Sequence, residues 1–283
     1  MQTLLTLIKK PDSSEDFMKY SMSFAREMNL NVHLLYVENP IHYPLGVPDL
    51  TGAAVAQLQN NLKGKINTGI HTLSDQVTAM MPMIAGKLVV EVSGKIGDEE
   101  KIINEMVQSG EAQMVMIESS GKDGFWLKDS SVQEIVRNIN CPVWIIPEDT
   151  EFQSFNDIIY ATDYQEEDIP TLIKLIDLTH LFTPHITALH ITDNADFDLR
   201  IKNAGFQKML ETKTEYIKIT AKALVENTGD DMVSLIHSYA DRTGANLIVV
   251  LKENRRFLER IFKPSSSEKI IEVSSRPVLV YHI

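Results

Sequence analysis

In "IIYATDYQEED", residues 158–168, four residues suited to a buried strand run into an acidic turn, and Asp163 stands where the strand ends. A carboxylate in that place has two uses. It can cap the following helix by accepting a backbone N–H, or it can face a ligand in the crevice beyond the carboxyl ends of an open α/β sheet. Both readings stand on the sequence. Catalytic and metal chemistry find less support. The eight histidines are scattered without the close spacing of a zinc site, and His190 falls on an apolar strand where a packed histidine is the expectation. Cys141 precedes a proline at the head of another apolar run and reads as structural and inert. No nucleophile, base and orienting group fall together, so no catalytic residue and no metal site is assigned.

The elements that must position Asp163 are set by length and pattern. A chain of 283 residues has room for two domains that each bury a core, and 43% hydrophobic with 23% charged residues reads as globular. With 39 acidic against 27 basic side chains, the net charge of −12 argues against nucleic acid and anionic membranes as partners. Any phosphate site must therefore be local. A single cysteine rules out an internal disulfide framework and fits a reducing, cytoplasmic setting. The start, "MQTLLTLIKKPD", lacks the order of a secretory signal, and no stretch approaches the ~18 apolar residues of a membrane helix.

The chain repeats itself. "LLTLIK" at 4–9 matches "IIYATD" at 158–163, and "NVHLLYV" at 31–37 matches "HITALHI" at 185–191, both at an offset of 154. "AQMVMI" at 112–117 then matches "ANLIVV" at 245–250 at an offset of 133, and "CPVWII" at 141–146 matches "RPVLVY" at 276–281 at 135. The order is the same in both halves, so the first half carries 21 extra residues between its second strand and its middle. The polar, turn-rich "PEDTEFQSFND" reads as the linker, giving domains over 1–148 and 156–283.

Short β-branched runs alternate with helical periods. "LLTLI" precedes "SEDFMKYSMSFAREMN", whose Phe17, Met18, Met22 and Ala25 share a face. "VHLLYV", a long helical stretch to "DQVTAM", "KLVVEV", "DEEKIINEMVQSG", "QMVMI", "SVQEIVRNI" and "PVWII" follow. This alternation predicts an α/β fold with two tandem, doubly wound, five-stranded parallel-sheet domains, Rossmann-like in character.

"ATDYQEED" after the first strand of the second half, "VEVSGKIGDEEKI" before the fourth strand of the first, and the endings "SVQEIVRNINCPVWIIP" and "SSSEKIIEVSSRPVLVYHI" resemble the universal stress proteins in their tandem form. The resemblance covers essentially the whole chain and implies an adenine nucleotide alpha hydrolase-like fold. It also implies a nucleotide site, in which an aspartate after strand one meets the adenine region and a loop of pattern G-x2-G-x9-G-[ST] after strand four holds phosphates. Asp163 fits that aspartate, with Ala161, Thr162 and Ile191 as its neighbours in the pocket. Glycines let backbone approach an anion, and the next helix turns free N–H groups toward it.

Both loops depart from the pattern. In the first half Glu118 takes the first glycine position, Gly121 is kept, Ser130 replaces the third glycine, Ser131 supplies the hydroxyl, and the spacer is one residue short. Lys9 stands where the adenine-facing aspartate would be. Gly121, Gly124, Ser130 and Ser131 therefore read as a vestigial site. In the second half Leu251, Asn254 and Pro264 replace all three glycines while Ser265, followed by Ser266, keeps the hydroxyl. Lys252, Arg255 and Arg256 bring cations that could hold an anion by charge. Their alternation with Phe257, Leu258, Ile261 and Phe262 equally fits the solvated face of an amphipathic segment.

The expected function is a cytoplasmic stress-response protein that responds to a ligand or binds an unidentified protein partner, with weakened or lost ATP binding, and is not an enzyme. The alternative is an ATP-binding universal stress protein with slow hydrolysis. The candidate occupants are ATP, AMP or another small anionic ligand, with no obligatory cofactor assigned. The resemblance further implies that the closing strands pair into an intramolecular pseudo-dimer, with homo-oligomers left open.

Overall fold

The computed structural model describes residues 2–40, 52–84, 86–119, 130–192, 197–225, 232–252 and 276–282. In chain order the elements are β1 (Thr3–Ile8), α1 (Glu15–Glu27), β2 (Asn31–Glu38), α2 (Gly52–Met80), β3 (Val90–Ile96), α3 (Glu99–Gln108), β4 (Met114–Ser119), α4 (Ser130–Asn138) and β5 (Val143–Pro147). The second half continues with β6 (Asp157–Ala161), α5 (Asp168–Thr179), β7 (His185–Thr192), α6 (Phe197–Thr214), β8 (Ile219–Val225), α7 (Met232–Thr243), β9 (Leu247–Leu251) and β10 (Val278–Tyr281). Each half supplies five strands, as the repeat predicts.

These elements form two compact units, the first holding β1 to β4 with α1 to α4 and the second β5 to β10 with α5 to α7. In the first unit the strand order is β3-β2-β1-β4, all parallel. In the second it is β5-β10-β9-β6-β7-β8, parallel except for β5. The fifth strand of the first half thus runs antiparallel to the last strand of the chain, with Ile145, Trp144 and Val143 opposite Val278, Leu279 and Val280. Both strands are short and apolar, and each covers backbone groups the other would leave on an edge. Trp144 is fully buried and stacks on Phe155 at 5.7 Å, so β5 also contributes its largest side chain to this core.

Helix α1 buries Phe17, Met18, Met22 and Ala25, the four residues its periodicity places on one face. It stops at Asn29, which adopts φ 53, and the Leu30 N–H closes on the Ala25 carbonyl. An asparagine tolerates that left-handed position and the bond satisfies an orphan carbonyl. Strand β3 starts three residues later than "KLVVEV" suggests. Its first register pair is Val32 with Val90, and the Val89 carbonyl accepts from Val32 just before the ladder begins.

The topology sets where a ligand would go. In each unit the chain moves from the central strand to one side and returns on the other, so the order reverses between β1 and β4 and between β6 and β9. Crevices at the carboxyl ends of such neighbouring strands are the binding positions of doubly wound sheets.

Candidate functional site

At the second reversal point Ala161 closes β6, in register with Leu189 of β7 and Val250 of β9. The chain then turns through residues 162–167 before α5. What holds that turn is Asp168, the first residue of the helix, which is 2% exposed. Its carboxylate accepts from the Tyr160 hydroxyl at 2.8 Å, the Thr162 hydroxyl at 2.6 Å and the Gln165 N–H at 2.9 Å. The Thr162 hydroxyl oxygen in turn accepts from the Tyr164 N–H at 2.8 Å. Burial pushes the Asp168 pKa up, the three donors pull it back, and the Asp163 charge adds to the rise.

With Asp168 closing the turn, Asp163 is released from the fold. Its side chain is 33% exposed and accepts no hydrogen bond from any described residue; Oδ1 lies 3.6 Å from Nδ1 of His190. Helix α5 has Glu167 at its N-cap with no side-chain cap bond. The capping reading of Asp163 is therefore set aside. Thr162 and Ala161 are buried beneath it, and Ile191, half-buried, follows His190 on β7.

His190 is half-buried, with 18% of its side chain exposed, and so differs from the packed core histidine expected for this strand. Its Nδ1 donates to the Thr162 carbonyl at 2.8 Å. The Tyr164 ring leans on the imidazole at 4.5 Å and on Phe206 of α6 at 4.8 Å, and its hydroxyl donates to Asn203 at 2.6 Å. Burial raises the Tyr164 pKa, so the hydroxyl stays a donor. Tyr164 adopts φ 59, an outlying conformation for a bulky residue, and these ring and hydroxyl contacts hold it there.

Across the reversal point, Lys252 follows β9, its N–H donating to the Tyr281 carbonyl at 2.8 Å, and its side chain is half-buried. The structure thus places Ala161, Thr162, Asp163, Ile191 and Lys252 at the carboxyl ends of β6, β7 and β9. Asn254, Arg255, Ser265 and Ser266 lie outside the described residues. In the first unit Lys9 follows β1 and Glu118 lies on β4, one residue past the Leu7–Ile117 register pair. Gly121 and Gly124 are outside the described residues. Ser130 and Ser131 open α4, and their side chains are likewise outside the description.

Asp168, His190 and Tyr164 escape the sequence reading. Asp168 is one of three consecutive acids, and only Tyr160, late on an apolar run, and Thr162, just past its end, point to it as polar residues two apart. Among the described residues no cluster of three or more histidine, cysteine or acidic groups could hold a metal, and no helix is long and apolar enough to cross a membrane.

The sequence model of the Universal stress protein family matches residues 1–147 and again 154–282. The chain belongs to this family, in tandem form. Among solved structures, a universal stress protein from Archaeoglobus fulgidus DSM 4304 aligns with TM-score 0.62 and 13% identity over 99% of this chain and 96% of that one. A putative universal stress protein from Pseudomonas aeruginosa UCBPP-PA14 gives 0.60 and 14% over 100% and 93%. The cytoplasmic domain of a prokaryotic cation chloride cotransporter gives 0.51 and 12% over 99% and 94%. At these identities the likeness is one of fold. No curated protein matches the chain.

Proposed function

We propose that this stress-response protein binds a small anionic or nucleotide-like ligand through its second half, and that its first half does not bind ATP in the family's manner. The observation that carries the reading is the division of labour between two carboxylates. Asp168 closes the turn, and Asp163, at the end of β6, is left partly exposed with no hydrogen bond from a described residue and only the 3.6 Å approach of His190 Nδ1. Lys252 stands at the end of the adjacent strand as a cation for the charged part of the ligand. In the first half the corresponding positions hold Lys9, which cannot accept from an adenine amino group, and Glu118, whose charge opposes phosphate. Because the second loop has lost its three glycines, charge must replace a backbone nest, and affinity is modest and salt-sensitive.

Titration calorimetry of the full chain with AMP and ATP at two salt concentrations tests this. Binding is expected to weaken as salt rises. Asp163→Ala should reduce affinity and leave the salt dependence in place, whereas Lys252→Ala should flatten it. Wild-type protein that binds neither nucleotide, or an Asp163→Ala variant that binds as well as wild type, overturns the assignment. ATP binding that survives both substitutions and is lost in Gly121→Val would move the site to the first half. Phosphate release from ATP above the buffer rate would favour the hydrolase alternative.

A further inference from the structure

β3 lies at an edge of the first unit and β8 at an edge of the second, and the two edges are finished differently. The Val32 N–H donates to the Val89 carbonyl and the Gly97 N–H to the Glu38 carbonyl, so the odd-numbered residues of β3 turn their backbone groups toward β2. The N–H and C=O groups of Val90, Val92, Gly94 and Ile96 therefore point outward and have no partner among the described residues. The β8 edge is guarded. Gln207 of α6 accepts from the Ala221 N–H at 2.6 Å and donates to the Ile219 carbonyl at 3.5 Å, as a residue of a further strand would. No residue of β3 is fully buried, and Ile96 at its end is 41% exposed.

We propose that β3 is an association surface for a second copy of this chain, the two β3 strands pairing antiparallel about a two-fold axis at Ser93. The strand's own sequence selects this occupant, because "VEVSGKI" complements itself when reversed. With Ser93 opposite its own mate, Glu91 faces Lys95 of the partner subunit, Lys95 faces Glu91 of the partner subunit, and Val90 meets Ile96 of the partner subunit. The outward backbone groups of Val90, Val92, Gly94 and Ile96 are then all paired. Glu91, Ser93 and Lys95 share the other parity, where opposed side chains approach most closely and opposite charges attract. Glu91 is free to do so, its side chain being 70% exposed with His33 Nδ1 4.0 Å away. Ser93 is held at the axis by His33, Nε2 lying 2.7 Å from its hydroxyl. Charges on an edge strand commonly repel further strands, and here they choose one register. Sliding by two residues leaves both charges opposite uncharged side chains, and sliding by four sets Glu91 against Glu91 or Lys95 against Lys95.

Analytical ultracentrifugation of the full chain over a range of concentrations tests this. Wild type is expected to dimerise reversibly, and less so as salt rises. Glu91→Lys alone and Lys95→Glu alone each set like charges opposite one another twice, and each should raise the dimer dissociation constant about tenfold or more. Mixing the two variants restores both opposite-charge pairs, so heterodimers should form where neither variant dimerises by itself. The double swap in one chain should dimerise as wild type does. Ser93→Cys should give a disulfide-linked dimer on mild oxidation, since that residue meets its own mate, whereas Val89→Cys, at a position 61% exposed but far from its mate, should not. Wild type that stays monomeric at every concentration overturns the proposal and leaves this edge to a segment of another protein. A dimer that neither single swap weakens, or mixed variants that form no heterodimer, overturns it and moves association to another face.

Discussion

Thr6, Ile8, Lys9 and Ser14 of the first half occupy the repeat positions of Tyr160, Thr162, Asp163 and Asp168 of the second, and Tyr36 occupies that of His190. In the first half the turn after β1 is held without a carboxylate, the Ser14 hydroxyl and the Ser13 N–H both donating to the Lys10 carbonyl at 2.8 and 3.1 Å and the Gln76 amide to the Pro11 carbonyl at 3.1 Å, and Thr6 pairs with Ser21 at 2.6 Å. In the second a buried carboxylate gathers three donors. Tyr36 is 7% exposed, and α2 presses so closely that a Cβ added at Gly69 would come within 2.5 Å of its ring. Among the described residues the ring that packs on His190 is that of Tyr164. One topology thus places a tyrosine packed under α2 at one strand end and a partly exposed histidine at the other.

The largest expected effect tests that contrast directly. Asp168→Ala leaves two hydroxyls and an N–H without their acceptor and should cost about 4 kcal/mol, read as the denaturant midpoint. Ser14→Ala, losing one bond, should cost about 1 kcal/mol. Equal losses would mean that the two turns are held alike and that Asp163 is not specially released.

Acid should weaken the fold next. Burial, with Arg276 nearby, lowers the His237 pKa from 6.5 to about 4. The native state then binds fewer protons than the unfolded chain between those values. The stabilisation is present above pH 6.5 and is lost as pH falls toward 4, to a limit of about 3 kcal/mol. His33 in the first half is shifted the same way, also mainly by burial. Asp168 acts oppositely, because a raised carboxyl pKa favours the protonated native state and its contribution fades as pH rises through it. Denaturation at pH 7 and 5 should show lower stability at the lower pH, with a smaller drop in His237→Gln.

Glycines in the two long helices sharpen the contrast in opposite directions. Gly69→Ala in α2 drives a methyl into the Tyr36 ring and should cost about 1–2 kcal/mol despite the better helix propensity of alanine. Gly205→Ala in α6 meets nothing within 4 Å and should gain up to about 1 kcal/mol. A stabilising Gly69→Ala would show that α2 does not pack tightly on Tyr36. The smallest effect concerns Asp163. Its alanine variant should keep wild-type stability within about 0.5 kcal/mol, since the carboxylate caps no helix. A loss near 1 kcal/mol would return it to the fold.

The repeat was legible because hydrophobic periodicity is local. Runs such as "IIYA" and "LIVV" announce buried strands wherever they occur, and Phe17, Met18, Met22 and Ala25 mark the inner face of α1 by spacing alone. The 21 extra residues of the first half were countable as well, and α2, with 29 residues against 18 in α6, takes up part of them. Asp163 was identifiable by its place at a strand end, though not its freedom from capping. That freedom depends on which of several neighbouring acids turns inward.

Strand composition, the order of the elements and membership of the family thus follow from the chain read residue by residue, because each rests on neighbours a few positions apart. The role of Asp168 and the tautomer of His190 do not, and the pairing of β5 with β10 followed from the family resemblance while its antiparallel register did not. Asp168 meets Tyr160 and Thr162 across a turn whose path no local preference dictates. His190 lies 28 residues from the carbonyl that fixes its proton, and Trp144 comes opposite Leu279 only once both strands are placed. Contacts of that kind are decided by which packing buries the most apolar surface while leaving the fewest polar groups unpaired, and that balance exists only in the assembled core.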